Sequence, residues 1–133
     1  IEAETNQIAN LANVAAIIRQ SFQFDWVGFY IFDGEELVLG PFQGDVACTR
    51  IGVGKGVCGK AFQDGKTIVV EDVNQFEGHI ACSPLTQSEV VVPIFKNGKP
   101  IAVLDIDSNQ AAHFDSEDQE GLEKIAKAIE ILF

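Results

Sequence analysis

The spacing of apolar residues predicts a helix at each end of the chain. Residues 7–20 repeat apolar side chains with the period of an amphipathic helix, at Ile8, Leu11, Ala12, Ala15 and Ile18. Near the other end a second stripe has the same period, at Leu122, Ile125, Ile129 and Leu132. The pattern Ser116-x-x-Gln119 resembles a capping box and predicts that this helix begins near Ser116.

Between the helices the pattern changes to short strands. Trp26–Phe32 is aromatic and β-branched, which favours a strand, and Asp33-Gly34 suits a hairpin turn after it. Further strands are predicted at residues 37–39, 47–51 and 67–70. The glycines at 52–59 mark a turn into a short helix over residues 57–63, and residues 72–87 are predicted to form a loop.

The clearest hairpin comes late in the chain. Glu89–Phe95 and Ile101–Asp107 flank Asn97-Gly98, the preferred sequence of a type I′ turn. The resulting order of elements predicts an α+β fold, with an antiparallel sheet flanked by N- and C-terminal helices. We expect one domain over residues 1–133, since this length is typical of a single domain.

Composition and charge narrow the classes of partner. Hydrophobic residues make up 47% of the chain, which argues against disorder. The 9 Lys and Arg against 20 Asp and Glu give a formal charge of -11, which disfavours nucleic acid and membrane partners. No apolar run is long enough to span a bilayer, and no signal peptide is visible. We therefore expect a cytoplasmic protein whose native start precedes Ile1, because the chain contains no Met.

The segment Gly54–Gly59 matches the pattern G-x-G-x-x-G of dinucleotide sites. Such a site needs a parallel βαβ unit, whereas the strands predicted here are short and joined by hairpins. The favoured interpretation is a tight turn before the short helix.

Three cysteines without export signals indicate reduced thiols available for redox chemistry. Cys82 lies in a loop before Pro84, a position that suits a reactive group, whereas Cys58 in the glycine turn is the best candidate for an inert thiol. Cys48 lies near a strand start. Cysteines with His79 are possible zinc ligands, but the cysteine spacing contains no C-x-x-C knuckle and we expect no metal.

Carboxylates are concentrated at one end of the late hairpin. Asp105 and Asp107 are two apart on a strand, so their side chains share a face. Counting pairs outward from Asn97-Gly98, residue 90 faces residue 105, which places Glu89 beside Asp105. Three adjacent carboxylates raise at least one pKa, leaving a protonated acid beside ionised ones. The alternative is a set of solvent-facing acids on a half-buried strand.

Several blocks, in order from about Trp26 to the final helix, carry a resemblance to a known family. The blocks are Gly40-Pro41-Phe42-Gln43-Gly44, Ala47-Cys48, Gly56-Val57-Cys58-Gly59, Glu71-Asp72-Val73, Gly78-His79-Ile80-Ala81-Cys82, Ser88-Glu89-Val90-Val91-Val92-Pro93 and Leu104-Asp105-Ile106-Asp107-Ser108. Together they resemble the free methionine-(R)-sulfoxide reductases, which are stand-alone GAF domains.

The resemblance implies roles for the residues at the matching positions. Cys82 is implied to be the thiolate that attacks the sulfoxide sulfur, giving methionine and a sulfenic acid. One of the pocket carboxylates would protonate the departing oxygen and the others would hold the substrate ammonium group. These carboxylates are Glu89, Asp105 and Asp107. The implied substrate-binding residues are Trp26 and Tyr30, as an aromatic wall around the methyl group, and the backbone of Ile80 and Ala81.

The family also implies how the enzyme is recycled. Cys48 matches the resolving cysteine that captures the sulfenic acid as a disulfide, and thioredoxin would then reduce it, with no bound cofactor. Cys58 is left as an auxiliary or structural thiol, and His79 is expected to shape the loop more than to lower the pKa of Cys82. Many relatives have Asp where this chain has Ser83, so no charge is expected to act there. A homodimer formed through a terminal helix is the family-like expectation.

Two other functions fit some of these residues. A non-catalytic GAF sensor domain would bind a small molecule without converting it, but leaves the pair of Cys48 and Cys82 unexplained. A peroxide-sensing thiol protein uses the cysteines but needs neither the acids nor the aromatic wall.

Overall fold

A computed structural model describes residues 3–80 and 82–133. Its helices and strands follow the predicted order, with most boundaries shifted by a few residues. They are α1 (Gln7–Phe22), β1 (Trp26–Phe32), β2 (Glu36–Gln43), β3 (Arg50–Gly52), α2 (Gly56–Asp64), β4 (Ile68–Val70), β5 (Ser88–Lys96), β6 (Lys99–Ser108) and α3 (Ser116–Ala128). Short 3-10 turns follow at Val73–Gln75, within the predicted loop, and at Ile129–Leu132.

The six strands form one antiparallel sheet in the order β3-β2-β1-β6-β5-β4. Apolar side chains of α1 and α3 pack on one face, against Val27, Phe29 and Leu104. Helix α2 packs on the other face, against Trp26 and Tyr30. This arrangement confirms the predicted α+β fold with terminal helices flanking the sheet. None of the described helices is both long and apolar enough to cross a membrane.

Two local predictions are wrong. The capping box of α3 is one residue earlier than predicted: Asp115 is the N-cap and accepts from the Asp118 N–H, while Asp118 reaches back to the Asp115 N–H. Asp is as good an N-cap as Ser, so Asp115 takes that position. The third strand begins at Arg50 instead of residue 47.

The pairing of the late hairpin also differs from the prediction. Its turn is as predicted, with positive φ at Asn97 and Gly98, but the register shifts by one residue between Ile94 and Phe95. The irregularity lies opposite Pro100, which has no N–H to donate to the ladder. As a result Glu89 pairs with Asp107, and residue 90 pairs with residue 106 instead of 105.

The glycine segment before α2 is a tight turn among antiparallel strands, as favoured from the sequence. Gly54 and Gly56 have positive φ, and the Gly54 N–H donates to the Gly59 carbonyl at 2.9 Å. A Cβ added to Gly59 would overlap the carbonyl oxygen of Gly52. The turn and the first residues of α2 are therefore packed directly backbone to backbone.

We expect Gly59→Ala to lower the free energy of unfolding by about 1–3 kcal/mol, the usual cost of overpacking. Gly121→Ala is the matched control, because among the described residues no atom lies within 4 Å of a Cβ added there in α3. It should raise the free energy of unfolding by about 0.5–1 kcal/mol. Urea denaturation of both variants measures the difference, and equal midpoints would contradict the close packing at Gly59.

Candidate active site

A pocket of about 180 Å³ opens between the sheet face that carries α2 and the loops around residues 44–47 and 79–86. It brings together most of the site residues predicted from the sequence. Those lining it are Trp26, Tyr30, Cys58, Ile80, Cys82, Glu89, Asp105 and Asp107. Ala81, also predicted to bind substrate, lies outside the described residues.

Two of the three cysteines are joined at this pocket. Cys48 and Cys82 form a disulfide across 34 residues of chain, with their Cα atoms 5.4 Å apart. Cys58 is the free thiol and is buried in α2. The pair that the resemblance implied is therefore within bonding distance, whereas the third cysteine takes no part in the bond.

Three carboxylates converge on the pocket because of the hairpin register. Glu89 on β5 pairs directly with Asp107 on β6, and Asp105 is two residues along the same face. Glu89 is 6% exposed and Asp105 is 5% exposed, so the alternative of solvent-facing acids does not hold for these two. Within the described residues, the Oδ1 atoms of Asp105 and Asp107 are buried without a hydrogen-bond partner.

Burial dominates the electrostatics of these acids. Loss of solvent raises the pKa of Glu89 well above its usual value, and the negative charge of Asp107 raises it further. The pKa values of Asp105 and Asp107 are also raised, first by burial and then by a neighbouring carboxylate. The cluster therefore retains protons that exposed carboxylates would have lost, which is the property that a general acid needs.

Cys58 differs from the disulfide pair in its surroundings. Its Sγ lies 4.0 Å from Glu89 Oε2. Burial, together with the nearby Asp105 and Glu89 charges, raises the pKa of the Cys58 thiol well above its usual value. A thiol held in the neutral form is a poor nucleophile, in agreement with an auxiliary or structural role.

The aromatic wall consists of three stacked side chains. The Trp26 ring stacks on Tyr30 at 6.1 Å and on Phe42 at 5.3 Å between ring centroids. Trp26 Nε1 donates to the Asp45 carbonyl at 2.9 Å, and the Tyr30 hydroxyl donates to the Cys48 carbonyl at 2.8 Å. These bonds tie the wall to the loop that carries Cys48. Neighbouring Phe29 faces the opposite core.

The loop before Cys82 faces the acids. His79 Nε2 lies 3.6 Å from Glu89 Oε1, and burial lowers the pKa of His79. His79 thus contacts an acid of the cluster, which fits a role in shaping the site. The Cys82 N–H donates to the Ile80 carbonyl at 3.1 Å, so in this oxidised state that N–H is already engaged.

Sequence reasoning missed two cations that line the pocket. Arg19 comes from the last turn of α1 and Lys55 from the turn before α2. Both are exposed basic residues. Arg19 belongs to no recognised motif, and Lys55 lies at a variable position of the Gly54–Gly59 pattern, which is interpreted as a turn. Only the packing of α1 and the glycine turn around the pocket brings them there.

Comparison with known proteins identifies the family. The GAF domain family model matches residues 8–133. GAF domain-containing protein A of Dictyostelium discoideum is 54% identical, covering 98% of this chain and 83% of that protein. The free methionine-R-sulfoxide reductase of Escherichia coli is 44% identical, covering 96% and 78% respectively.

A solved structure agrees with these relatives. It is the free methionine-R-sulfoxide reductase of Neisseria meningitidis in complex with its substrate. The two chains are 52% identical and superpose with a TM-score of 0.95, covering 98% of this chain and 79% of that one. The chain therefore belongs to the GAF domain family and, within it, to the free methionine-R-sulfoxide reductases.

Proposed function

We propose that this protein reduces free L-methionine (R)-S-oxide to L-methionine. The observation that carries the proposal is that Cys82, joined to Cys48 by a disulfide, lines the same pocket as three carboxylates. A sulfoxide reductase needs these two components together, a thiol that accepts oxygen and an acid that protonates it. Two of the relatives named above, from Escherichia coli and Neisseria meningitidis, are free methionine-R-sulfoxide reductases.

In the first step the Cys82 thiolate attacks the sulfoxide sulfur while a protonated carboxylate of the cluster donates its proton to the sulfoxide oxygen. The attack forms a bond between Cys82 Sγ and the substrate sulfur. This S–S bond and the substrate S–O bond then break as the protonated oxygen moves to Cys82 Sγ. The net result is methionine and a sulfenic acid on Cys82, so the thiol is oxidised by two electrons and the sulfoxide is reduced by two.

In the second step the Cys48 thiol attacks the sulfenic acid, forming the Cys48–Cys82 disulfide and releasing water. An external dithiol, for which we propose thioredoxin, then returns both cysteines to thiols and becomes a disulfide itself. The cycle uses no bound cofactor. Thioredoxin supplies two electrons to the Cys48–Cys82 disulfide, and the resulting Cys82 thiol passes them to the sulfoxide.

The pocket suits an amino acid that still carries both of its charges. The carboxylates that do not protonate the oxygen accept hydrogen bonds from the ammonium group, and Lys55 and Arg19 provide positive charge for the substrate carboxylate. Trp26 and Tyr30 pack around the methyl group, and the backbone of Ile80 contacts the rest of the ligand. A methionine within a peptide has lost both charges, so the free amino acid is favoured.

We also propose that the protein acts in the cytoplasm as a homodimer. Helix α1 exposes the apolar side chains of Ile8 and Ile17, which are 68% and 57% accessible. This terminal helix is the proposed interface.

The proposed reaction is tested with separated epimers of free methionine sulfoxide, by following thioredoxin-coupled NADPH oxidation. We expect turnover of the R epimer only, and none of an N-acetylated, amide-blocked R-sulfoxide that lacks both charges. Absence of turnover on either epimer, with correctly folded and reduced protein, would overturn the proposal in favour of a non-catalytic GAF sensor.

A further inference from the structure

The inner end of the pocket contains a thiol and two carboxylates arranged like metal ligands. Cys58 Sγ, a Glu89 carboxylate oxygen and an Asp105 carboxylate oxygen all lie within 4.8 Å of one another. The three residues come from α2, β5 and β6, so the fold positions them independently. They are 4%, 6% and 5% exposed, which shields them from water.

The polar atoms of this cluster are incompletely satisfied. Among the described residues Asp105 Oδ1 has no hydrogen-bond partner, although it is buried. The contact between Cys58 Sγ and Glu89 Oε2 is long, at 4.0 Å. Buried polar groups are usually paired, since leaving them unpaired costs free energy. A cation between the three donors would supply the missing partner.

The donor set selects a particular class of cation. A thiolate is a soft ligand that favours Zn²⁺ and similar metals, whereas Mg²⁺ and Ca²⁺ prefer oxygen ligands and higher coordination numbers. Three protein ligands with a fourth position open to a pocket is the pattern of an open zinc site. These ligands differ from the cysteines and His79 whose spacing disfavours zinc, since only Cys58 belongs to both sets.

We propose that Cys58, Glu89 and Asp105 form a binding site for a thiophilic divalent cation such as Zn²⁺, and that the cation excludes the sulfoxide substrate. Binding releases the Cys58 proton and leaves the Cys48–Cys82 disulfide unchanged. Glu89 and Asp105 also belong to the proposed substrate site, so the same carboxylates cannot hold both ligands. The competition between the cation and the sulfoxide rests on the proposed reductase function, whereas the existence of the cation site does not depend on it.

Cobalt titration of the oxidised protein tests the site without using activity. With the Cys48–Cys82 disulfide intact, Cys58 is the one thiol left of three, so a thiolate-to-cobalt charge-transfer band reports Cys58 alone. We expect one Co²⁺ bound per chain and displaced by Zn²⁺ but not by Mg²⁺. Cys58→Ser should lose the band. Asp105→Asn keeps the thiol but should weaken Co²⁺ binding about tenfold or more, since even changes around metal ligands have effects of that size.

Two results would overturn the cation site: no charge-transfer band in the wild type, or an unchanged band in Cys58→Ser. Circular dichroism confirms that each variant is folded, and Glu120→Gln, at an exposed position, controls for general loss of negative charge. The competition is tested separately in the reductase assay, where Zn²⁺ should raise the apparent KM at constant kcat. Cobalt binding with an unchanged KM would refute the competition, whereas absence of any reductase activity would count against the proposed function.

Discussion

Cys82→Ser is expected to lower kcat for free methionine (R)-sulfoxide by about 10⁴-fold or more, the scale of losing a nucleophile. A serine hydroxyl is not ionised near neutral pH, so it is a much weaker nucleophile than a thiolate. Its oxygen also cannot accept the sulfoxide oxygen, so no equivalent of the sulfenic acid can form. Cys48→Ser is the matched variant, because it removes the other half of the same disulfide. It should keep the first chemical step and lose the recycling step.

Single-turnover measurements separate the two variants. We expect Cys48→Ser to release one equivalent of methionine per chain and then stop with thioredoxin as reductant, with the Cys82 sulfenic acid trapped by dimedone. Cys82→Ser should release none. Steady turnover by Cys48→Ser at the wild-type rate would show that another group resolves the sulfenic acid, and methionine release by Cys82→Ser would exclude Cys82 as the nucleophile.

Substitution of the buried carboxylates should have opposite effects on activity and stability. Glu89→Gln removes a proton donor or an ammonium ligand, and we expect kcat/KM to fall by about 10²- to 10⁴-fold. It also removes a titratable carboxyl group that is 6% exposed and lies beside other acids. Near neutral pH we therefore expect the free energy of unfolding to rise by about 1–2 kcal/mol, as is common when strained active sites are relieved.

The pH dependence of this stability gain follows from the direction of the pKa shift. Burial raises the folded-state pKa of Glu89, so its favourable contribution is fully present below its unfolded pKa, about 4. That contribution is lost as pH rises through the raised folded-state pKa. The stability advantage of Glu89→Gln over wild type should thus be absent near pH 4 and grow with increasing pH.

Urea denaturation across pH measures this difference, and exposed Glu120→Gln should show no such trend. An advantage of Glu89→Gln that is constant across pH would contradict the raised pKa. Asp105→Asn and Asp107→Asn complete the series: the variant whose pH–rate profile loses its alkaline limb identifies the proton donor.

The sequence was sufficient for the elements that depend on local patterns. The period of Leu11, Ala15 and Ile18 predicted α1, and Asn97-Gly98 predicted the late hairpin, because helix faces and type I′ turns are encoded by neighbouring residues. The residue blocks around Cys82 and Glu89 were also enough to indicate the family. Local information failed at the N-cap of α3, where Asp115 and Ser116 are both good caps and only the observed hydrogen bonds distinguish them.

Long-range packing decided the rest. The hairpin register depends on a shift opposite Pro100, and counting from the turn gave a pairing one residue out of register, with residue 90 opposite residue 105 instead of residue 106. Arg19 and Lys55 reach the pocket through the placement of α1 and the glycine turn. By itself, the sequence determined the order of elements and the chemical groups available, since propensity and turn chemistry act over a few residues. Only the tertiary structure decided which of these groups share a buried space, and burial is what raises the pKa values of the acids on which the proposed chemistry depends.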